Sequence, residues 1–256
     1  MGKIIAITNQ KGGVGKTTSS VNISASLAYL GHKVLLVDLD PQANASTGVG
    51  TYKGDAAVTI FDLLVDDIPT NDVIIKTKED NLYLIPSSQE LSGFESMIVN
   101  ENDREFKLLP KLAEVKEDFD YIIIDCPPSL GYLTINALSA ADSTLIPVQC
   151  EYYALEGLTQ LLNTIRIVQR KLNRKLSIEG VLLTMLDRRT RLGLDVINEV
   201  KLYFKEKVFN TIIPRLVRLS EAPSFGKSII AYDLKSSAAQ FYIDLANEVV
   251  KNNVRE

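Results

Sequence analysis

A glycine-rich loop between a short apolar run and a helical pattern constrains this chain more than any other feature. Residues 3–8 are mostly apolar and rich in isoleucine, which predicts a buried strand. The loop contains Gly12, Gly13 and Gly15, and apolar side chains at helical spacing follow it. Strand, glycine loop and helix in this order are typical of a P-loop, in which backbone N–H groups and the helix N-terminus face phosphate groups.

The loop departs from the usual pattern G-x-x-x-x-G-K-[ST] at its first glycine. That position is Gln10, and a second lysine, Lys11, follows it. The resulting sequence K-G-G-x-G-K-T-T resembles the ParA/MinD family of P-loop ATPases. The resemblance implies ATP and Mg2+ as cofactors and an ATP-dependent homodimer in which Lys11 reaches the phosphates of the partner subunit. The loop residues expected to bind ATP are Lys11, Gly12, Gly13, Val14, Gly15, Lys16, Thr17 and Thr18.

A dinucleotide-binding loop is the alternative interpretation of the same stretch. It requires G-x-G-x-x-G, and the third glycine position here is Thr18. Asp38 does stand at about the distance of a ribose-binding acid. The Lys-Thr-Thr run nevertheless favours the P-loop, because its lysine reaches the β- and γ-phosphates and its hydroxyl group holds Mg2+.

Two further apolar runs end in acidic residues. Residues 33–38 end at Asp38, and residues 120–125 end at Asp125, as in a Walker B strand. Because parallel strands deliver their carboxyl ends to one edge of a sheet, these acids are expected near the loop. The family resemblance extends to D-x-D-P-Q, and it implies that Asp40 orients or activates the attacking water and that Asp38 supports the loop and the metal. The predicted catalytic residues are Lys11, Lys16 and Asp40, and the predicted metal-binding residues are Thr17, Asp38 and Asp125.

The remaining pattern predicts an α/β fold with three layers, formed by a mostly parallel sheet with helices on both faces, in one domain over residues 1–256. Residues 44–51 are small and polar and predict a mobile switch loop. Further predicted strands are 73–76, 82–86, 143–148, 176–186 and 211–213, and further predicted helices are 59–64, 90–99, 105–117, 153–172 and 237–250. By resemblance, Met185, Asp187 and Pro214 are expected to contact the adenine or ribose.

Charge is distributed unevenly along the chain. The net charge is −4, yet residues 166–235 hold 15 Lys and Arg against 7 Asp and Glu, while the rest holds 13 against 25. This asymmetry favours a surface that binds a polyanion, although scattered solvated charges are the alternative. The family resemblance favours duplex DNA, bound without sequence preference. The candidate DNA-binding residues are Arg188, Arg189, Arg191, Arg215, Arg218 and Lys227.

Several other classes of protein are disfavoured by composition. His32 is the only histidine, which excludes a His-dependent triad. Cys126 and Cys150 are far apart and predict two buried thiols in a reducing cytoplasm. No apolar run has membrane-spanning length, no signal precedes the first strand, and acids within 237–250 predict a packing helix rather than a membrane helix. We therefore expect no membrane partner.

The resemblance is closest to the chromosome-partitioning branch of the family, the ParA/Soj type. It implies that ATP closes a dimer on DNA and that a ParB/Spo0J-type partner stimulates the hydrolysis that releases it, during chromosome or plasmid segregation on the nucleoid. Three alternatives stay open: a MinD-like membrane-surface ATPase, an electron carrier like nitrogenase reductase, and a nucleotide-binding regulator without hydrolysis. The electron carrier would need two cluster-binding thiolates per subunit.

Overall fold

The strands of the chain form one sheet. A computed structural model describes residues 2–66, 68–151, 156–187 and 191–253. Within these ranges the sheet order is β3-β4-β2-β5-β1-β6-β7, and every neighbouring pair is parallel except β3 and β4. The strands are β1 (Lys3–Ile7), β2 (Val34–Asp38), β3 (Ile75–Lys76), β4 (Leu82–Ile85), β5 (Tyr121–Asp125), β6 (Ser143–Gln149) and β7 (Ser177–Thr184).

Helices cover both faces of this sheet. Over the described ranges they are α1 (Lys16–Tyr29), α2 (Asn44–Gly48), α3 (Ile60–Val65), α4 (Thr70–Val73), α5 (Phe94–Met97), α6 (Leu108–Val115), α7 (Tyr132–Ala140), α8 (Glu156–Lys171), α9 (Arg191–Phe204), α10 (Val217–Glu221), α11 (Ile229–Asp233) and α12 (Ser237–Asn253). The predicted three-layer α/β class is therefore confirmed.

Two hydrophobic cores lie on opposite sides of the sheet. Ile5 and Ile7 point toward α1 and α10–α12, whereas Ile4 and Ala6 point toward α3–α9. This division follows from the two-residue period of a strand. Both faces of each central strand are covered, which is why these strands are continuous apolar runs rather than alternating ones.

The predicted helix over 59–64 is confirmed as α3, which begins with a capping box. The Thr59 hydroxyl accepts a hydrogen bond from Phe61 N at 3.3 Å, and Asp62 Oδ2 accepts one from Thr59 N at 2.7 Å. The predicted helices over 90–99 and 105–117 are shorter than expected. They are replaced by a 3-10 turn over Gln89–Gly93, α5 and α6.

Two predictions of local structure are wrong. Residues 211–213 do not form a strand, because this segment pairs with β7 in an irregular register. Phe209 N donates to Val181 O and Ile213 N to Leu183 O, so four residues of the segment span two residues of β7, and only isolated bridges result. Residues 44–51 contain the short helix α2 instead of a loop. Hydrogen bonds from Ser46 to a strand-end carboxylate hold this helix in place.

The C-terminal helix α12 packs its apolar side onto the domain. Its buried residues include Ala239, Tyr242, Ala246 and Val249, in the same core as α1. On its other side, Glu248 accepts hydrogen bonds from Asn210 and Thr211. This agrees with the predicted packing helix. Among the residues that the structure describes, no helix is long and apolar enough to cross a membrane.

Candidate active site

The glycine-rich loop leads from β1 into α1, as its sequence predicts. Gly13 and Gly15 have φ angles of 73° and 87°, a left-handed conformation that favours glycine. The loop is anchored at both ends. Asn9 Nδ2 donates to the carbonyl of Pro147 at 2.7 Å, and the hydroxyl of Thr184 donates to the carbonyl of Val14 at 2.8 Å. The loop is therefore held in an open turn against β6 and β7.

Lys16 is buried within this loop. Its Nζ donates to the carbonyl of Lys11 at 3.1 Å. Burial lowers the pKa of Lys16, while the nearby charges of Asp125, Cys126 and Asp40 oppose that effect. A cation in this position attracts an anion to the first turn of α1, where backbone N–H groups are also free of helical partners.

Asp38 and Asp125 lie side by side, because β2 and β5 are adjacent and the two residues are paired in register. Both carboxylate oxygens of Asp38 accept hydrogen bonds from neighbouring residues. Its Oδ2 accepts hydrogen bonds from Ser46 N and Ser46 Oγ, both at 2.7 Å, and its Oδ1 accepts one from Asp40 N at 3.2 Å. Asp38 therefore holds α2 to the end of β2, which fits the loop-supporting part of its predicted role better than direct metal ligation.

Asp125 has a different set of neighbours. Its Oδ1 accepts a hydrogen bond from Ser20 Oγ at 2.7 Å, but its buried Oδ2 has no hydrogen-bond partner among the described residues. A buried carboxylate oxygen without a donor fits a hard cation such as Mg2+, which prefers oxygen ligands. The hydroxyl of Thr17 lies beside the same carboxylate. Thr17 and Asp125 are thus the residues that fit a magnesium ion.

The two carboxyl groups have raised pKa values. Burial is the main cause for both, and it raises the pKa of Asp38 to about 6 and that of Asp125 to about 7. The charge of Asp38 adds to the effect on Asp125, while the Ser20 and Thr17 hydroxyl groups oppose it. A divalent cation would stabilise the charged forms of both groups.

These shifts predict that the metal-free protein loses stability as the pH rises. Folding raises both pKa values above the unfolded value of 3.8, so the folded chain binds protons more tightly. The resulting stabilisation is complete below about pH 4 and is lost as the pH rises through about 6 and 7. We expect the free energy of unfolding to fall by about 4 kcal/mol between pH 5 and pH 8, since each pKa unit corresponds to about 1.4 kcal/mol. Denaturant titrations without Mg2+ measure it.

The control for this prediction is Asp125→Asn, which removes the more strongly shifted group. The variant should show a clearly flatter pH dependence than the unmodified chain between pH 5 and pH 8. Equal slopes in the two proteins would contradict the environment assigned to Asp125.

Asp40 lies at the end of β2, close to this pair. It is buried, and its Oδ1 accepts a hydrogen bond from Gln42 N at 3.0 Å. Its backbone N–H donates to Asp38. The carboxylate of Asp40 is therefore fixed beside Asp38, and Asp40 is among the charges that influence Lys16.

A cavity of about 120 Å³ lies beside the loop. It is lined by Gly15 and Thr18 of the loop and by two of the predicted base-contacting residues, Met185 and Pro214. Backbone hydrogen bonds hold the segments around Met185 and Pro214 together. Leu186 N donates to Ile213 O, and Arg215 N donates to Leu186 O. Asp187 follows in the chain but does not line the cavity.

Several residues that build this site are not among those predicted from the sequence. Asn9 anchors the glycine loop, and Ser20 donates a hydrogen bond to Asp125. Ser46 bonds α2 to Asp38, and Tyr242 lines the cavity. Ser20 had a usable signal, because it lies four residues after Lys16 and therefore on the same face of α1. Asn9 and Tyr242 bond to residues that are distant in sequence, and Ser46 bonds to Asp38 eight residues before it, so no local pattern marks them.

The candidate DNA-binding residues are described only in part. Arg188 and Arg189 lie outside the described residues, and so does the side chain of Arg191 at the start of α9. Arg215, Arg218 and Lys227 are exposed around α10.

Both described arginines face carboxylates of the same chain. Arg215 lies 3.6 Å from Glu151, and Arg218 lies 3.3 Å from Glu221 and 3.6 Å from Asp233. Exposed ion pairs of this kind contribute about 0–1 kcal/mol, so a phosphate group could displace the carboxylates.

The described cations of residues 166–235 belong to elements on both sides of the sheet. The cations at the end of α8, such as Arg170 and Lys171, belong to the side of the sheet that carries α3–α9. Arg215, Arg218 and Lys227 belong to the side that carries α1 and α12. Successive elements of residues 166–235 therefore pack on opposite faces of the sheet.

Relatives of known identity match nearly the whole chain. A family model described as an AAA domain matches residues 2–178. The chain is 62% identical over 252 residues to the sporulation initiation inhibitor protein Soj of Bacillus subtilis, covering 98% of this chain and 100% of that protein. It is 53% identical over 250 residues to the chromosome-partitioning ATPase Soj of Treponema pallidum, with 98% of each chain covered. The chain belongs to the Soj/ParA family of chromosome-partitioning ATPases.

A solved structure extends the Soj/ParA assignment to the fold. The structure is described as cobyrinic acid a,c-diamide synthase from Mycobacterium smegmatis with bound ADP and magnesium. It matches with a TM-score of 0.88 and 36% identity over 99% of this chain and 96% of that one. The predicted family, the P-loop fold and the ATPase class are thus confirmed.

Proposed function

We propose that this chain is an ATP- and Mg2+-dependent DNA-partitioning ATPase whose ATP-bound homodimer binds duplex DNA without sequence preference. The observation that carries the proposal is the arrangement at one edge of the sheet. The glycine loop with Lys16 lies beside Asp125, whose free buried oxygen and Thr17 neighbour fit Mg2+. When bound, Mg2+ supplies charge neutralisation for the β- and γ-phosphates.

The other residues of the loop bind and orient the nucleotide. Backbone N–H groups from Gly12 to Thr18 face the phosphates, and Met185 and Pro214 contact the base. Asp40 accepts a hydrogen bond from the attacking water and so orients it toward the γ-phosphate. Asp38 holds α2 and thereby fixes the position of Asp40.

Lys11 is placed to act between subunits. Its side chain is 38% exposed, and its Nζ lies 3.9 Å from Glu151, itself 49% exposed. Because such a pair is weak, Lys11 can turn away from its own subunit at little cost. In the proposed dimer it neutralises phosphate charge across the interface, which makes dimerisation depend on ATP.

Dimerisation then controls DNA binding. One subunit presents Arg215, Arg218 and Lys227, together with the undescribed Arg188, Arg189 and Arg191. Arginine binds phosphate through two parallel hydrogen bonds. Two such sets held in one dimer bind far more tightly, because the second contact becomes intramolecular. A ParB/Spo0J-type partner stimulates hydrolysis, which separates the subunits and releases them from DNA. The protein then acts in the cytoplasm, on the nucleoid.

Binding to random-sequence duplex DNA, with ATP and with ADP, tests this proposal. We expect tight binding with ATP alone, weakened by salt. The variant Arg218→Glu should reduce affinity by about tenfold or more, since each lost phosphate contact removes part of the electrostatic attraction. The matched control is Arg170→Glu, an exposed arginine on the opposite side of the sheet, which should have little effect. Absence of DNA binding in both nucleotide states would refute the proposed function.

The alternatives have less support. A MinD-like membrane helix would need a free apolar face, but that face of α12 is packed against the core. An electron carrier would need reactive thiolates, whereas Cys126 and Cys150 are buried and burial raises their pKa values. ATP-dependent binding to anionic liposomes, lost after removal of residues 237–256, would restore the membrane interpretation.

A further inference from the structure

Two loops from distant parts of the chain touch backbone to backbone at Gly50 and Gly226. Their φ angles are 87° and 59°. A Cβ at Gly226 would lie 2.5 Å from the hydroxyl oxygen of Tyr52 and 3.1 Å from Gly50 Cα. A Cβ at Gly50 would lie 3.0 Å from Gly226 O. An added methyl group at Gly226 would therefore displace the Tyr52 hydroxyl and press on Gly50 Cα, and one at Gly50 would press on Gly226 O.

The Gly50 side of this contact is tied to the candidate active site. Gly50 N donates to Thr47 O at 3.0 Å, so the residue is bonded to the end of α2. Ser46 of the same helix donates twice to Asp38. Asp38, α2 and Gly50 thus form a short hydrogen-bonded unit that begins where the nucleotide phosphates are expected.

The Gly226 side is tied to the candidate DNA-binding residues. Gly226 ends the 3-10 turn Ala222–Phe225, which continues directly from α10, and its N–H donates to Pro223 O at 3.0 Å. Lys227 is the next residue, and Arg218 lies on α10. Leu219, the residue after Arg218 in α10, lines the base cavity. The segment 215–227 therefore touches the nucleotide site at two places.

We propose that the Gly50–Gly226 contact positions the segment 215–227, and with it Arg218 and Lys227, according to the nucleotide held at the P-loop. This inference rests on the proposed DNA binding and adds to dimerisation a route inside each subunit. Two backbones in direct contact transmit a displacement of α2 without a flexible side chain to absorb it. Gly226 is, in this view, a positioning residue rather than a DNA-binding one.

The variant Gly226→Ala tests the contact, and Gly54→Ala is its matched control. Gly54 lies in the same loop as Gly50 with φ of 88°, but an added Cβ would meet nothing within 4 Å. Both glycines have positive φ angles, so alanine is strained at either position, and only the first substitution disrupts the contact. Affinity for a fluorescent ATP analogue and ATP-dependent dimerisation should stay within about twofold of the unmodified chain in both. With ATP, DNA affinity should fall by about tenfold or more in Gly226→Ala alone.

The salt dependence of DNA binding separates positioning from general damage. Each phosphate contact contributes about 0.9 to the slope of log affinity against log salt concentration. If Arg218 and Lys227 no longer contact phosphate groups, the magnitude of the salt-dependence slope should fall by about 2 per subunit. A partly unfolded sample would keep the slope, because its folded molecules still make every contact. A second variant, Gly50→Ala, disturbs the same contact from the loop after α2. It should lower DNA affinity and reduce the salt-dependence slope, as Gly226→Ala does.

The outcomes are distinct. Unchanged affinity and slope in Gly226→Ala, or equal losses in Gly226→Ala and Gly54→Ala, would overturn the positioning role while leaving the proposed function intact. Failure of the unmodified chain to bind DNA with ATP would instead refute the proposed function itself.

Discussion

Replacing Asp40 with alanine is expected to lower the rate of ATP hydrolysis by about 10²–10³-fold, while ATP-dependent DNA binding persists. Asp40 is buried, and Gln42 N fixes its carboxylate at the end of β2. Asp38, in contrast, is committed to Ser46. Asp40 is thus the carboxylate best placed to orient a water molecule, and its loss should stop the reaction after ATP has closed the dimer. Steady-state turnover and retention on DNA-coated beads measure the two effects.

The control for this prediction is Asp40→Asn, which keeps the size and the hydrogen bond to Gln42 but removes the charge. It should also be slow in turnover and should hold DNA with ATP. If Asp40→Ala neither dimerises nor holds DNA with ATP, the role given to Asp40 is wrong, and the residue instead supports the fold of the loop after β2.

Replacing Lys11 with alanine is expected to lower DNA affinity in the presence of ATP by about 10²–10⁴-fold, the gain that linking two binding sites provides. Lys11 is exposed and weakly paired with Glu151 in the single subunit. Its loss should leave ATP binding to one subunit little changed, because Lys16 and the loop amides remain. The dimer, however, would lack the cation that neutralises phosphate charge across the interface. Molecular mass in solution with ATP, together with DNA affinity, measures the effect.

The contrasting variant is Lys16→Ala. Lys16 is buried within the loop and should be required for ATP binding itself. The two lysines should therefore fail at different steps, one at nucleotide binding and the other at dimerisation. A Lys11→Ala chain that still doubles its mass with ATP would remove Lys11 from the interface and would place dimer formation on other residues.

Much of the candidate site was predictable because it is local in sequence. The glycine loop, Lys16 and Thr17 are contiguous, and their φ angles and hydroxyl groups follow from residue type. Asp38 and Asp125 were predictable for another reason. Each ends a buried parallel strand, and such strands share one edge of the sheet, so the two residues meet although they are far apart in the chain.

Other parts of the site were not predictable because they depend on partners that are distant in sequence. Residues 44–51 have a loop-like composition, yet Ser46 bonds to Asp38 and a helix forms. Residues 211–213 have a strand-like composition, but they lie beside β7 without a continuous ladder. In both cases a tertiary contact overrides the local preference of the segment.

The phosphate-binding loop, the acidic ends of the strands and the three-layer fold follow from the amino-acid sequence alone, because glycine conformation, strand period and apolar runs are properties of neighbouring residues. Long-range packing, in contrast, determines which contacts those residues make. It left one oxygen of Asp125 free while committing both oxygens of Asp38. It also divided the basic third of the chain between two faces and brought Gly50 against Gly226. These outcomes depend on which face of the sheet each helix covers and on the burial that follows, and neither is encoded in any single stretch of the chain.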